Sequence, residues 1–418
     1  MNRLLELLND SVWHFAVSRV KFGIGAADEV GYDIKSLGVK KVLLVTDESI
    51  MKSGVVDIVT SSLDEQKIEY HIWDRAEPEP SLKSVLECIG YAKKIEPEGF
   101  ISIGGGSVMD TAKIVDLIIT HGGDVLDYIA PPTGKGKPPE GPLKPHIAIP
   151  TTSGTGSETS PAAVVNLVEQ KLKAGISHHF LRPTLAILDP RMTVTCPPRI
   201  TASAGMDALS HAIGSYTTRR FDQKPKPKTP LERPAYAGRT PLTDIFSSEA
   251  IKIIASYLRR AVYHPKDLEA RAGMQIGSFY AAVAFTNAGV LPDHAISYPI
   301  GGRYRTPHGL TVAVLLLAVM EFCLPSDYNR FADVARFLGE DVEGTSIFEA
   351  AHKSIEAVKR LEKDIGVPSG LEALGIKEED IPVLAKETLK EQRLLACSPR
   401  PITEEDIKQI LRSAMKNW

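Results

Sequence analysis

The sequence predicts two domains of different class: an N-terminal α/β domain built on a mostly parallel, Rossmann-like sheet, and an all-α C-terminal domain. Three observations carry this. Short β-branched runs alternate with helical stretches up to about residue 190, the pattern of strands joined by crossover helices. Beyond Asp189-Pro190 the strand signals almost vanish, and Ile251, Ile254, Leu258 and Val262 recur at helical spacing. The 418 residues also exceed what one core holds, since single cores rarely grow past about 250–300 residues. The expected domains are 1–191 and 192–418.

Each element follows from local pattern. Val42 to Thr46 is a short apolar run and reads as a buried strand, with a helical stretch from about Ser49 to Gln66 behind it. Glu69 to Trp73 is a second strand, and Ser81 to Lys94 has helical periodicity after Pro78 and Pro80. Gly99 to Ile103 is a third strand, followed by a helix from Ser107 to Thr120; His146 to Pro150 and Leu185 to Leu188 are further strands. The Pro- and Gly-rich residues 131–145 must form a loop. Gln223 to Pro230, a Pro/Lys tract, reads as a solvated surface loop inside the helical half.

Composition excludes several classes. The 49 Lys and Arg against 52 Asp and Glu leave a net charge of −3, which offers no electrostatic footprint for nucleic acid or an anionic membrane. The apolar run Leu310 to Phe322 is shorter than the roughly 20 residues that span a bilayer. Glu6 and Asp10 interrupt the N-terminal apolar stretch, unlike a signal peptide. Cys88, Cys196, Cys323 and Cys397 lie far apart with no C-x-x-C pair, so they read as core residues of a protein in a reducing cytoplasm.

Ile101-Ser-Ile-Gly104-Gly105-Gly106-Ser107-Val-Met-Asp110-Thr-Ala-Lys113 is a strand, a three-glycine turn and the first turns of a helix. Missing side chains let a pyrophosphate approach backbone N–H groups, and the helix N-terminus adds unpaired donors. Ser107 and Asp110 also have the spacing of a helix cap. A second glycine motif, Gly23-Ile-Gly25-Ala-Ala-Asp28, lacks the third glycine of the dinucleotide fingerprint. Asp47 lies at the C-terminal end of a strand, where a carboxylate can accept from a ribose diol and repel a 2′-phosphate, or simply cap a helix. Pro150 to Glu158 is a dense Gly/Ser/Thr loop after a strand, suited to a nucleotide ribose or phosphate.

Asp207 and His211, four residues apart on a helix, share one face and can grip one ion. On one straight helix His294 and His308 would lie about 21 Å apart. Pro299, Gly301, Gly302 and Pro307 break such a helix, so His308 can fold back beside His294. One Asp and three His make an N/O site suited to Fe²⁺ or Zn²⁺, with positions left for a substrate oxygen.

Together, the Gly104–Lys113 segment, the Pro150–Glu158 loop, Asp207/His211 and the His294/His308 pair resemble the iron-containing (group III) alcohol dehydrogenases, in order along nearly the whole chain. The resemblance implies the dehydroquinate synthase-like fold of that family, a dinucleotide-binding domain followed by a helical metal-binding domain. It implies Asp207, His211, His294 and His308 as metal ligands, and Gly104, Gly105, Gly106, Ser107 and Asp110 at the pyrophosphate. Thr151, Thr152 and Thr155 would line the cofactor site, with Lys173 near the cofactor. Asp47 occupies the family's acidic position and favours NAD over NADP. A homodimer and a small alcohol, hydroxy acid or oxo acid substrate are implied as well. The competing readings are a zinc-dependent polyol dehydrogenase and a catalytically silent nucleotide-binding relative.

Ala130 to Pro138, Thr152 to Thr159, Arg233-Pro-Ala-Tyr-Ala-Gly238 and Asp267-Leu-Glu-Ala-Arg271 resemble the hydroxyacid–oxoacid transhydrogenase branch of that family. So does Tyr298, which stands four residues after His294 where most members carry a second His. Tyr298 is the expected catalytic side chain, a hydroxyl that orients substrate. Arg303, Arg305 and Lys173 are the candidate cations for an acidic substrate. No basic, Ser-rich presequence is visible, so a cytoplasmic protein is expected.

Overall fold

The computed structural model describes residues 9–131, 133–170 and 172–418. Glu6 of the N-terminal stretch and Pro132 of the Ala130–Pro138 segment lie outside the described residues. The chain forms two compact units that are discontinuous in sequence. One comprises Val17–Ile200 and Tyr263–Gln275; the other comprises Thr201–Val262, Ile276–Trp418 and the segment ending at Ala16. These units differ from a single cut at 191 in three places: the segment ending at Ala16 lies with the helices, and residues 192–200 and Tyr263–Gln275 lie with the sheet.

The first unit is a parallel six-stranded sheet with strand order β1-β8-β5-β4-β2-β3. The strands are β1 (Arg19–Phe22), β2 (Lys41–Val45), β3 (Glu69–Trp73), β4 (Gly99–Gly104), β5 (His146–Pro150) and β8 (Leu185–Leu188). The inner strands β2, β4, β5 and β8 are buried on both faces, which is why they read as continuous apolar runs. Leu43 and Val45 join the core under the helices Leu82–Ile95 and Gly106–His121. Val42 and Leu44 point the other way, under Val30–Ser36 and Val55–Glu65. From β2 the chain runs outward to β3, then returns past β2 to β4 and continues toward β5. The sheet thus switches direction between β2 and β4, and open α/β sheets bind ligands beyond the strand ends at such a point.

Two details depart from the sequence prediction here. The helix expected over Ser49 to Gln66 is two helices, Glu48–Lys52 and Val55–Glu65, because Gly54 takes a left-handed conformation (φ +81°) between them. An antiparallel hairpin, β6 (Ala162–Leu167) with β7 (Leu172–Ser177), follows the Gly/Ser/Thr loop and was not predicted at all.

The second unit is helical throughout its main elements, among them Pro241–Tyr263, Pro292–Tyr304, His308–Cys323 and Ile347–Asp364. The stretch His308–Ser326, 19 residues, has the length and composition of a membrane span, yet 72% of it is buried inside the protein. That is a core helix. The Pro/Lys tract is not wholly solvated: Lys224 is buried and its ammonium donates to the Ala237 carbonyl at 3.1 Å. All four cysteines are buried.

Candidate metal centre and cofactor cradle

Asp207 and His211 lie on the Pro198–Thr217 helix, His294 on Pro292–Tyr304, and His308 opens the helix His308–Cys323. The helix carrying His294 does not break at Pro299, as the sequence suggested, but runs through it to Tyr304. The break comes at Arg305, which is left-handed (φ +52°), and Pro307 then caps the next helix. Gly309 lets that second helix come close: a Cβ there would lie 2.6 Å from the Ser203 carbonyl oxygen and 3.1 Å from Asp207 Cβ. His308 is thereby brought back to Asp207.

The geometry converges on one oxygen. Asp207 Oδ1 lies 4.0 Å from His211 Nε2, 3.7 Å from His294 Nε2 and 3.7 Å from His308 Nε2. These separations are too long for hydrogen bonds, and they match ligand atoms spaced about 3–4 Å apart around a shared ion. Asp207 Oδ1 and His294 Nε2 are both sealed from solvent without a hydrogen-bond partner. Unpaired buried polar atoms are expensive, and a divalent cation would satisfy them together. The residues fit a metal.

Their orientation is set by a second ring of contacts. Asp293 Oδ1 sits 3.1 Å from His294 Nδ1, and Ser210 donates its hydroxyl to Asp293 Oδ2. Ser297 Oγ lies 3.2 Å from His308 Nδ1, and His211 stacks on Phe285 with ring centroids 3.9 Å apart. Such partners fix which ring nitrogen faces the ion. Burial works to raise the Asp207 carboxyl, but His211, His294 and His308 outweigh it and hold it well below the usual carboxylate range. Burial lowers His294, while Asp293 and Asp207 more than compensate and push it up to about 9. The cluster is a nest for positive charge. Asp293 and Ser210 were not identified from sequence, since nothing in their spacing marks a contact between two helices.

Tyr298 lies one turn after His294, buried, with its ring 6.1 Å from that of His308. The cations offered for an acidic substrate are otherwise placed. Arg303 is tied to Glu387 at 2.8 and 2.5 Å, Lys173 is buried on β7 in an ion pair with Glu79, and Arg305 is exposed.

In the first unit the predicted cofactor segments gather at the switch point. Thr46 at the end of β2 donates to the Ile103 carbonyl at the end of β4 (2.8 Å), and Thr151 N donates to Gly104 O (3.0 Å). The helix Gly106–His121 starts after Gly105 without a side-chain cap, so its first N–H groups are open to an anion. The glycines differ in purpose. A Cβ on Gly104 would meet Val108 at 2.5 Å and one on Gly106 would meet Thr155 at 2.8 Å, whereas Gly105 has nothing closer than Thr152 Oγ1 at 3.6 Å. Two serve packing, and the middle one leaves the space.

Ser107 Oγ accepts from Glu79 N at 3.1 Å. Asp110 does not cap the helix: its carboxylate accepts from Ser157 Oγ (2.6 Å) and Val164 N (2.9 Å). It binds the Gly/Ser/Thr loop to the helix. Lys113 does the same from the next turn, donating to Ser157 O and Oγ, Ser160 O and Ala162 O at 2.6–3.0 Å. Burial lowers that lysine to about 8. Asp47 caps the helix Glu48–Lys52, and Ser49 N, Ser49 Oγ and Ile50 N all bond to its Oδ1. The glycine decoy at Gly23–Asp28 is filled internally, because Gly25 N and Ala27 N donate to Asp189 Oδ2.

Comparisons with known proteins agree with this architecture. Residues 18–190 match the family model "Iron-containing alcohol dehydrogenase", and residues 235–415 match "Fe-containing alcohol dehydrogenase family, C-terminal". A mitochondrial hydroxyacid-oxoacid transhydrogenase from Xenopus tropicalis is 38% identical over 419 residues, 97% of this chain and 90% of that protein. Among solved structures, a 1,3-propanediol oxidoreductase aligns with TM-score 0.87 and 35% identity, covering 96% of this chain and 100% of its own. A sulfoacetaldehyde reductase from Bifidobacterium kashiwanohense, solved in complex with NAD⁺, aligns with TM-score 0.82 and 27% identity over 97% of this chain and 99% of its own. The expectation of a cytoplasmic protein is overturned by these relatives, since the transhydrogenases are named mitochondrial. Matched in both halves and across nearly its whole length, the chain belongs to the iron-containing alcohol dehydrogenase family and is a metal-dependent oxidoreductase.

Proposed function

We propose that this enzyme is a hydroxyacid–oxoacid transhydrogenase: it takes hydride from a small ω- or 2-hydroxy acid, such as 4-hydroxybutyrate, and returns it to a 2-oxo acid, such as 2-oxoglutarate. The observation that carries this reading is the convergence of three imidazole Nε2 atoms on Asp207 Oδ1, within 4.0 Å, with Tyr298 beside them in place of another histidine. Its similarity to the transhydrogenases supports the substrate class.

Asp207, His211, His294 and His308 would hold a divalent ion, iron being favoured by the family, and Gly104, Gly105, Gly106 and Ser107 would hold the pyrophosphate of NAD. When bound, the ion supplies Lewis acidity at the carbinol oxygen and the nicotinamide supplies hydride acceptance and return. The chain's own residues do the rest. Asp293 and Ser297 fix the imidazole orientations, so the donor set is in place before substrate arrives. Tyr298 presents a hydroxyl one turn from His294, placed to orient substrate. A transhydrogenation cycle needs little from a shuttle, because the proton released on oxidation is taken up on reduction. Asp47 keeps a carboxylate at the β2 end, which repels a 2′-phosphate and favours NAD. Thr151, Thr152 and Thr155 wall the cradle, and Asp110 and Lys173 support it from behind. A homodimer is consistent with the edge strand β1, which leaves Val20 and Phe22 exposed; light scattering tests it.

The test is a screen of alcohols and hydroxy acids with metal-replete protein, with and without an oxo acid. Stimulation of hydroxy acid oxidation by a 2-oxo acid, without free NAD, supports the reading. Strict dependence on added NAD with best turnover on simple primary alcohols would replace it with an NAD-linked alcohol dehydrogenase.

A further inference from the structure

Arg393 lies on the short helix Gln392–Leu395, which packs against the helix that carries His294 and Tyr298. Its guanidinium carbon is 5.2 Å from the centre of the Tyr236 ring; it shares a hydrogen bond with Tyr236, and Tyr298 and Glu391 are its other polar neighbours. Its Nη1 is sealed from solvent and makes no hydrogen bond. Arg393 also stands in no ion pair among the described residues. A guanidinium offers five N–H donors in a fork that matches a carboxylate, and leaving one unmatched in the interior is costly. This contrasts with Arg303, whose fork is already filled by Glu387.

The Tyr236 wall comes from Arg233-Pro-Ala-Tyr-Ala-Gly238, a segment with no part in the metal centre. Gly238 is left-handed (φ +90°), and a Cβ there would lie 2.7 Å from the Arg219 carbonyl oxygen, so the turn is pressed against Arg219. The Arg219 side chain has its own unpaired buried nitrogen, Nε. Burial raises the Cys397 thiol, and both arginines, near it, oppose that rise. The cationic charge here is only partly balanced. Arg233 and Lys224 share Asp10, at 2.8 and 4.0 Å, whereas among the described residues Arg393, with Glu391 acting on it only at longer range, and Arg219 stand in no ion pair.

We propose that Arg393 is the carboxylate anchor of the substrate, with Arg219 as a second cation behind it. A short hydroxy or oxo acid would direct its oxygen-bearing carbon to the Asp207–His308 cluster and its carboxylate to Arg393, past the Tyr298 hydroxyl. This deepens the transhydrogenase reading and rests on it. It assigns selectivity for acids over plain alcohols to one side chain.

The experiment measures kcat/KM for 4-hydroxybutyrate and for 1-butanol in each of wild type, Arg393→Lys and Arg393→Gln, and compares the ratio within each preparation. An internal ratio is independent of how much of a variant folds. The ratio is expected to fall by about 100-fold in Arg393→Gln, the scale of a charge-assisted hydrogen-bonded pair. The loss should appear mainly in KM for the acid, with Arg393→Lys intermediate. Butyrate should inhibit butanol oxidation by wild type and lose that effect in Arg393→Gln, and added guanidinium should restore part of it. An unchanged ratio in Arg393→Gln, in an enzyme that still couples hydroxy acid to oxo acid, overturns the anchor and leaves the transhydrogenase reading standing. A wild type that prefers butanol and ignores butyrate overturns both.

Discussion

Asp293 and His294 are adjacent in sequence, and the Asp293 carboxylate reaches back to the Nδ1 of its neighbour's ring at 3.1 Å. The other ring nitrogen then points at Asp207 Oδ1, 3.7 Å away. One imidazole is held between two carboxylates, the arrangement by which a second carboxylate sets tautomer and direction for a ligand histidine. Replacing Asp293 by Ala should lower metal affinity by roughly 10–100-fold. Asp293→Asn, which keeps an acceptor, should lose less. Chelator competition on the metal-loaded protein measures this, and an Asp293→Ala variant with wild-type affinity would remove Asp293 from the account.

His308 reaches the cluster only because the chain turns at Arg305 and Gly309 admits the close approach. His308→Ala should abolish turnover and reduce bound metal, and Gly309→Val should do likewise by forcing the helices apart. Elemental analysis beside activity decides it. Normal metal content and near-normal activity in His308→Ala would mean that the ligand set is wrong.

Asp47 is both a helix cap and the proposed ribose acceptor, so the two roles need separating. Asp47→Ser keeps a capping oxygen and removes the charge; Asp47→Gly changes both, and replacing a cap commonly costs a few tenths to about 1 kcal/mol. Both variants should show a relaxed preference for NAD(H) over NADP(H). If Asp47→Ser kept the wild-type cofactor ratio, the negative charge would not be what discriminates.

Lys113 holds the Gly/Ser/Thr loop through four acceptors and lies 3.9 Å from Asp110. Lys113→Met strands those carbonyls and an unpaired Asp110, a loss of about 3–5 kcal/mol by analogy with broken buried pairs. Urea titration should show it, together with weaker nucleotide binding. A variant as stable as wild type would show that the loop does not depend on the lysine.

Asp116 is buried beside Thr120 and Lys144 N, and burial raises its carboxyl to about 7. The folded value lies above the unfolded one, near ~3.9, so the folded state binds the extra proton. The stability this provides is complete below the unfolded value and is lost as pH rises through about 7. Asp116→Asn, which cannot ionise, should therefore gain more melting temperature relative to wild type at pH 8 than at pH 5. A difference between the two proteins that does not change with pH would contradict this assignment.

The parts of the fold legible in sequence are those fixed by local pattern. Gly99 to Ile103 is a strand because a short apolar run bounded by turn residues has few alternatives. The four-residue spacing of Asp207 and His211 placed them on one face before any tertiary contact was known. What escaped depends on distant partners. The hairpin β6–β7 draws its strands from a Ser/Thr-flanked stretch and from one containing Lys173 and Gly175, which lack the strand signature until paired. Asp110 looked like a cap because its real partners, Ser157 and Val164, are 47 and 54 residues away. The Gly23–Asp28 turn mimics a dinucleotide fingerprint short of its third glycine, and what the turn does was hidden because the carboxylate that fills it belongs to Asp189, 164 residues from Gly25. Arg393 sits among unremarkable charges in sequence, and only the packing of its helix sets it beside Tyr298.

The most direct test of the account follows deuterium. Protein purified with its own metal and nucleotide is given 4-hydroxybutyrate deuterated at its carbinol carbon, together with 2-oxoglutarate and an excess of unlabelled NADH in solution. The 2-hydroxyglutarate formed is expected to carry deuterium at C2 with no dilution, because hydride passes through a nicotinamide that stays bound. Product whose label is diluted in proportion to the free NADH, or no product until free NAD is supplied, would contradict it.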